Sequence, residues 1–236
     1  MHTQAPDFPF VCVLKSGGSY HAQHVQDLLA GLRRYQPQAR LVCLTDLPDV
    51  GPGVEVVPLQ HDLPGWFSKL EMFALPLAAF LYIDLDVVFT GPVDIDIPDG
   101  LWILRGFKGQ GVNSSVLLVR GQYPHILDSF LQDRERLIPE YSGPKWGDQD
   151  YILDSGCITG FIQDRFPTLA GSWRQTLHYR MGVINDAPSI LVFHGKPKPQ
   201  DLHLRLLGPR RVRLFSWAFL PHALVHRLRR SFKATA

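Results

Sequence analysis

The sequence predicts an α/β fold built on a largely parallel central sheet. Strand-like apolar runs alternate with helical segments over the first 86 residues, an order typical of parallel sheets flanked by helices. A chain of 236 residues, 45% apolar and 19% charged, fits one globular domain of this kind. No apolar run reaches about 18 residues, so no transmembrane helix is expected. Residues 1–10 lack the pattern of a secretory signal, so no leader is expected.

Short apolar runs bounded by turn residues define the predicted strands. They are residues 10–14, 41–44, 54–57 and 80–83 in the first half, and 101–104, 116–119 and 190–193 in the second. The helix after the first strand has one apolar face, made by Val25, Leu28, Leu29 and Leu32. Ser68 and Glu71 match a capping box, so a second helix is expected to start after Ser68 and to end near Pro76. A further helix is expected over residues 124–138.

Asp84 and Asp86 directly follow the buried strand at 80–83. Residues i and i+2 of a strand point to the same side, so both carboxylates are expected to converge on one point. Two acids at the exit of a buried strand are costly unless a cation neutralises them, and hard divalent cations prefer carboxylate oxygens. The residues alone leave two interpretations open: a metal site, or acids that end the strand and begin a turn.

Two other polar positions come just past predicted strands. Lys15 follows the first strand, and Asp46 follows the second. Because ligands bind beyond the carboxyl ends of parallel strands, these side chains and the acid pair are expected to share one rim. For Asp46 the alternative is ordinary turn chemistry after a strand.

Cysteine usage favours a reducing compartment. The three cysteines are far apart, odd in number and without metal-ligand spacing. Cys12 and Cys43 lie in strand-like runs and are expected to be small core residues. A cytoplasmic location is therefore the default expectation.

Four short segments follow one another between residues 10 and 200: Asp84–Asp86, Asn113–Val116, Asp148–Asp150 and His194–Pro199. In this order they resemble motifs of the metal-dependent nucleotide-sugar glycosyltransferases of the GT-A fold. The segment Gly65–Glu71 is similar to one found in bacterial proteins of this kind. The resemblance is greatest to the retaining family that includes glycogenin and the lipopolysaccharide galactosyltransferases. Asp84-Leu85-Asp86 resembles its Asp-x-Asp motif, and Asp148–Asp150 its segment beside the anomeric carbon. Asn113–Val116 is similar to the segment that lines the donor sugar, and His194–Pro199 to the C-terminal His/Gly-x-x-Lys-Pro motif.

The resemblance implies one GT-A-type domain over residues 1–204 that transfers a sugar, with retention, from a UDP-sugar to a saccharide or glycolipid acceptor. It implies Mn²⁺, with Mg²⁺ as an alternative, held by Asp84, Asp86 and His194. The groups expected to contact the nucleotide-sugar are Lys15, Asp46, Lys69, Asp84, Asn113, Ser114, Gly195 and Lys198. The groups expected at the reacting centre are Asp148, Gln149 and Asp150.

Several of these roles have a physical reason. Gln149 is expected to face the anomeric carbon, where an amide oxygen stabilises developing positive charge, and Asp150 to contact a sugar hydroxyl. Lys198 supplies a compact positive charge for a diphosphate, and Lys69 lies in the first turn of its predicted helix, where amide donors also favour an anion. The sequence departs from the family's pattern in two ways. His194 directly precedes Gly195 instead of standing three residues before it, and Gln200 replaces the usual Trp.

Two other functional classes stay open. A haloacid-dehalogenase-type phosphohydrolase also places an Asp-x-Asp after an apolar strand, but Asp84 lies late in the chain for that class and no downstream Asp-Asp pair follows it. A non-catalytic sugar-nucleotide-binding module would keep the fold without turnover. For Asp148, a helix N-cap is the structural alternative.

Residues 205–236 form a basic tail on an acidic body. Residues 1–200 carry 16 Lys or Arg and 21 Asp or Glu, whereas residues 201–236 carry 8 Lys or Arg and one acid. On a helical projection the apolar side of the tail is formed by Trp217, Leu220, Leu224, Leu228 and Phe232. A basic amphipathic helix predicts peripheral attachment to an anionic membrane surface, and packing on the domain is the alternative. No nucleic-acid partner is expected, because the acidic body would repel it.

Overall fold

Thirteen strands in three sheets make up the β-structure in the part of the chain that the structure describes. The structure is a computed structural model, and it describes residues 7–143, 145, 147–177, 182–196, 198–199 and 203–215. The strands are β1 (Phe10–Leu14), β2 (Leu41–Thr45), β3 (Glu55–Pro58), β4 (Ala79–Ile83), β5 (Val87–Phe89), β6 (Gly100–Arg105), β7 (Val112–Arg120), β8 (Ile158–Phe161), β9 (Ala170–Ser172), β10 (Gly182–Ile184), β11 (Ile190–Val192), β12 (His203–Gly208) and β13 (Arg211–Phe215). The α-helices are α1 (Ala22–Arg33), α2 (Pro124–Gln132), α3 (Arg134–Ser142), α4 (Asp148–Asp154), α5 (Ile162–Arg165) and α6 (Trp173–Leu177). A 3₁₀ helix spans Gly65–Ala74.

The central sheet has seven strands in the order β3-β2-β1-β4-β7-β6-β8. The pairs β2–β3, β1–β2, β1–β4 and β6–β8 are parallel, and β7 runs antiparallel to both β4 and β6. The predicted α/β fold with a mixed, mainly parallel sheet is therefore confirmed. Because β1, β2 and β4 run in the same direction, the residues that follow them (Lys15, Asp46 and Asp84) meet at one edge of the sheet.

Both faces of the central sheet are covered, which explains why β1, β2 and β4 are apolar along almost their whole length. Phe10, Cys12 and Leu14 of β1 pack with α1 on one face, and Val11 packs with the 3₁₀ helix, α2 and α4 on the other. Cys12 and Cys43 are fully buried, as predicted for core residues. None of the described helices is long and apolar enough to cross a membrane.

A three-stranded sheet, β5-β11-β9, connects the acid pair to the C-terminal part of the chain. β5 begins at Val87, directly after Asp86, and pairs antiparallel with β11. Beyond this pairing, Phe193 N donates a hydrogen bond to Asp86 O at 3.3 Å. The segment after β11, which contains His194 and Lys198, therefore starts next to the acid pair.

The third sheet, β10-β13-β12, contains the start of the predicted tail. β12 and β13 form an antiparallel hairpin, and β13 also pairs with β10. The boundary predicted between residues 204 and 205 falls inside β12, so residues 205–215 are strand and turn. The amphipathic helix predicted between Trp217 and Phe232 lies outside the described residues.

The capping-box prediction at Ser68 is wrong. The 3₁₀ helix starts at Gly65, and both Ser68 and Glu71 are buried inside it. Ser68 Oγ donates to Gly65 O at 2.8 Å. The Glu71 carboxylate accepts two backbone N–H groups of the preceding loop, at 2.6 and 3.0 Å, and so fixes that loop instead of capping a helix. The helix ends before Pro76, as predicted.

Candidate active site

A cavity of about 670 Å³, here called the first cavity, lies at the edge where β1 and β4 end. Its walls come from the loop after β1, the acid pair after β4, the 3₁₀ helix, β7 and the start of α4. The predicted site residues on these walls are Lys15, Lys69, Asp84, Asp86, Ser114, Asp148 and Gln149. The structure thus brings together residues that are up to 134 positions apart in the sequence.

Lys69 is buried at the centre of a charged cluster, with 6% of its surface exposed. Its Nζ lies 3.0 Å from Asp84 Oδ1 and 2.9 Å from Asp148 Oδ2. It also donates to Ser114 Oγ at 3.0 Å, and Ser114 Oγ donates to Asp148 Oδ2 at 2.6 Å. Burial would lower the pKa of Lys69, but the charges of Asp148 and Asp84 raise it above its ordinary value. The ammonium group of Lys69 therefore balances protein carboxylates.

Asp86 faces the cavity with a different set of partners. Tyr20 OH donates to Asp86 Oδ2 at 3.0 Å, and Lys198 Nζ donates to the same oxygen. Lys198 Nζ is also held by Phe193 O at 3.3 Å. Burial and the neighbouring charge of Asp84 raise the pKa of Asp86, and Lys198 opposes this shift only in part. The charged form of Asp86 is therefore less favourable than that of an exposed aspartate, mainly because the group is buried.

The acid pair fits a divalent cation in both charge and donor type. Within this cluster, three carboxylates (Asp84, Asp86 and Asp148) meet two ammonium groups (Lys69 and Lys198), which leaves one negative charge on the cavity wall. Carboxylate oxygens are the ligands that Mn²⁺ and Mg²⁺ prefer. Asp84 and Asp86 would hold such an ion, because one oxygen of each, Asp84 Oδ2 and Asp86 Oδ1, lies outside the bonds to Lys69, Tyr20 and Lys198.

Asp46 is tied to the loop after β1. Its carboxylate accepts Ser16 N at 2.8 Å and Ser16 Oγ at 2.7 Å, and it lies 3.1 Å from Lys15 Nζ. Lys15 also pairs with the exposed Asp62 at 2.9 Å. Asp46 thereby shapes the glycine-containing turn on the first cavity, while Lys15 lines the cavity itself.

We expect Asp46 to titrate far below an ordinary aspartate. Burial would raise its pKa, but the bonds from Ser16 and Lys15 lower it from 3.8 to about 2. Because this pKa lies below that of the unfolded chain, the bonds stabilise the fold above about pH 4, and their contribution disappears as the pH falls towards 2. An NMR titration of the Asp46 carboxyl carbon checks this, and Ser16→Ala should move its pKa back towards 3.8. An unchanged pKa in the variant would contradict the account.

A second cavity, of about 720 Å³, adjoins the first at Gln149, whose side chain lines both. Four other predicted site residues line this second cavity: Asn113, Asp150, His194 and Gly195. The predicted site residues are therefore divided between two cavities. Asp84 and Asp86 line the first cavity, Asp150 lines the second, and Gln149 lines both.

His194 is not brought together with the acid pair. Ser172 Oγ lies 2.7 Å from His194 Nε2 and accepts Arg174 N at 3.1 Å and Gln175 N at 3.4 Å. Since the hydroxyl oxygen already accepts two bonds, its proton points to Nε2, whose lone pair is thereby used. The His194 ring also stacks on Phe107, with centroids 5.0 Å apart. Among the described residues no three His, Cys, Asp or Glu side chains form a group that could hold a metal, so the role of His194 as a third ligand stays a prediction.

Three aromatic residues on the first cavity, Tyr20, Trp66 and Tyr82, have no assigned role in the sequence-based prediction. Tyr82 OH donates to Asp84 Oδ1 at 2.8 Å, and the i, i+2 spacing on one strand is the signal that points to it. Tyr20 reaches Asp86 from the far side of the turn after β1, and no local pattern indicates this. Trp66 is 55% exposed on the first cavity. Its indole lies against Gly147, where an added Cβ would be 2.2 Å from Trp66 Nε1.

Known structures of similar fold are glycosyltransferases. The galactosyltransferase LgtC, in complex with donor and acceptor sugar analogs, matches 81% of this chain and 89% of its own, with a TM-score of 0.58 and 14% identity. The glycosyltransferase GlyE of Streptococcus pneumoniae TIGR4 matches 83% of this chain, with a TM-score of 0.53 and 16% identity. The match spans 56% of the GlyE chain. No family model and no curated protein matches the sequence. At these identities the similarity establishes the fold, and the chain has the GT-A fold of these glycosyltransferases, as its motifs predict.

Proposed function

We propose that this protein is a metal-dependent, retaining glycosyltransferase that moves a sugar from a UDP-sugar to a saccharide or glycolipid acceptor. One observation carries the proposal. The paired carboxylates of Asp84 and Asp86 stand at the carboxyl end of a parallel strand, on a cavity that Gln149 also lines. In such folds ligands bind at this edge. The fold shared with LgtC and GlyE supports the same reaction class.

Asp84 and Asp86 would hold the divalent cation, which when bound neutralises the charge of the departing nucleoside diphosphate. The chain's own residues prepare this place. Tyr82 and Lys69 fix Asp84 through one oxygen, Oδ1, so that Oδ2 is not part of these bonds. The ammonium group of Lys198 is now paired with Asp86. With the cation bound to that carboxylate, the Lys198 side chain would be free to bind the diphosphate.

Gln149 is the residue best placed to face the transferred sugar. Asp148 is buried and its Oδ2 contacts Lys69 and Ser114, so its role in this proposal is to position the start of α4. Gln149 lies next to it on the border of the two cavities, and its amide oxygen would stabilise positive charge at the anomeric carbon. Asp150, on the second cavity, would contact a hydroxyl group there.

The fold disfavours a haloacid-dehalogenase-type hydrolase. In that class the first acid of the Asp-x-Asp is the nucleophile that attacks phosphate. The fold around Asp84 is instead the one shared with glycosyltransferases. A non-catalytic nucleotide-binding module would bind UDP without turnover, and the following experiment separates the two outcomes.

The test is hydrolysis of UDP-galactose, UDP-glucose and their N-acetylated forms in the presence of Mn²⁺. We expect slow release of UDP from at least one donor, with the anomeric configuration of the released sugar retained in an NMR time course. Gln149→Ala should abolish this release, whereas Gln23→Ala, on the exposed face of α1, should not. UDP binding with no turnover of any donor would instead establish a binding module.

For the basic tail, residues 205–236, we propose attachment to an anionic membrane surface. The protein would then be a cytoplasmic enzyme bound peripherally to a membrane. The test requires a truncation after Phe215, because a cut in the β12–β13 turn would remove β13 from the middle of its sheet. Full-length protein is expected to sediment with vesicles rich in anionic lipid, and the truncated protein to stay in solution. Equal sedimentation of both forms would contradict this role.

A further inference from the structure

We propose that the second cavity binds the acceptor and that two cations on its wall select an acceptor bearing a negatively charged group, a phosphate or a carboxylate. These cations, Lys108 and Arg174, are here called the cationic wall. The inference rests on the proposed function, since it names the acceptor class for the same site. It goes further because a cavity for a neutral saccharide needs no cationic wall.

The position of the second cavity suits an acceptor. If the nucleotide-sugar occupies the first cavity, the anomeric carbon lies near Gln149, and the space on the other side of that residue is the second cavity. Its volume of about 720 Å³ is in the range of ordinary ligand sites. Asp150 and Asn113 on its walls offer partners for sugar hydroxyl groups.

The cationic wall is held in place by specific bonds. Gln175 Nε2 donates to Phe107 O at 2.8 Å, which fixes the loop of Lys108 beside the helix of Arg174. The backbone N–H of Arg174 is bound by Ser172 Oγ, and its guanidinium Nη2 donates to Lys196 O at 2.5 Å. Two segments that are 66 residues apart in the sequence therefore present their cations to one cavity.

The charges of this cavity are separated by structural element. The α4 side carries carboxylates, and Asp154 there is paired with Lys145 at 2.7 Å. The facing elements contribute Lys108 and Arg174 to the lining of the cavity. Burial, and to a smaller extent the charges of Arg174 and Lys108, lower the pKa of His194 beside them. A planar guanidinium binds phosphate or carboxylate through two parallel hydrogen bonds, so an anionic substituent fits this wall.

The experiment compares glucose 6-phosphate with glucose by calorimetry, in the presence of UDP and Mn²⁺. We expect glucose 6-phosphate to bind the wild-type protein more tightly than glucose. Arg174→Gln and Lys108→Gln should each weaken its binding roughly 10-fold or more, the effect of losing one charge-assisted hydrogen bond. Lys145→Gln is the matched control, because that cation lines the same cavity but is neutralised by Asp154 and Glu140. Arg174→Lys, which keeps the charge but loses the planar fork, should bind glucose 6-phosphate with an affinity between those of the wild type and Arg174→Gln.

The outcomes distinguish this inference from the proposed function. Equal affinity for glucose and glucose 6-phosphate would overturn the inference. So would a loss of UDP affinity in Arg174→Gln with no effect on the sugar phosphate, because the wall would then belong to the donor diphosphate. If glucose 6-phosphate binds through Arg174 but UDP does not bind at all, the anion site stands and the transferase assignment fails.

Discussion

Replacing Lys69 by methionine is expected to lower the free energy of unfolding by about 3–5 kcal/mol, the cost of breaking a buried ion pair from one side. The substitution leaves Asp84 and Asp148 facing each other in a buried cluster without their shared cation. Methionine fills most of the volume of the lysine side chain, so the loss of stability measures the missing charge more than a change in packing. Urea denaturation of wild type and variant measures the change.

Two further variants test the explanation for Lys69. Arg40→Gln removes an ion pair of which both partners are more than half exposed, and it should change stability by no more than about 1 kcal/mol. Adding Asp148→Asn to Lys69→Met removes one of the two unpaired carboxylates and should recover part of the stability. A Lys69→Met effect no larger than that of Arg40→Gln would show that the cluster is not the electrostatic centre of the site.

Replacing Gly147 by alanine is expected to reduce turnover of the UDP-sugar donor about 100-fold, the size of effect that follows a displacement of about 1 Å. Gly147 has φ +66° directly before Asp148 and Gln149, and an added Cβ would be 2.2 Å from Trp66 Nε1. The indole or the start of α4 must therefore move. The measurement is kcat for UDP release with Mn²⁺ present.

Gly156 supplies the matched control for Gly147. It has φ +70° just after α4, but an added Cβ would meet nothing within 4 Å. Gly156→Ala thus adds a side chain at positive φ without the clash, and its kcat should stay near the wild-type value. The double variant Gly147→Ala/Trp66→Ala should regain part of the activity. Equal losses in the two single variants would assign the effect to backbone strain.

The residues on the rim of the site can be predicted from the sequence because the direction of the strands determines which residues lie there. Lys15, Asp46 and Asp84 each come directly after a parallel strand, and parallel strands end at one edge. Residues that follow different parallel strands in the sequence therefore lie close together in the fold. Strand direction does not predict the contacts of Tyr20 or Lys198 with Asp86. Tyr20 follows the turn after β1 and Lys198 follows β11, and their positions depend on pairing between strands that are distant in the sequence.

Other parts of the site escape prediction because neighbours in three dimensions override local patterns. Ser68 and Glu71 have the spacing of a capping box, but burial of both side chains and the loop bonded by Glu71 favour a 3₁₀ helix from Gly65. The contact between Ser172 Oγ and His194 Nε2 joins residues 22 positions apart, and no local pattern indicates it. The separation of the site into two cavities with Gln149 between them also has no signal in the sequence.

The central claim, that the acid pair binds a nucleotide through a divalent cation, is tested most directly by calorimetric titration of UDP with and without Mn²⁺. The account predicts that UDP binds wild type only with the cation, and that Asp86→Asn weakens this binding at least about 100-fold. Asp94→Asn, at an exposed acid outside the cavity, should bind as wild type does. An affinity for UDP that changes neither on removal of Mn²⁺ nor in the Asp86→Asn variant would contradict the account.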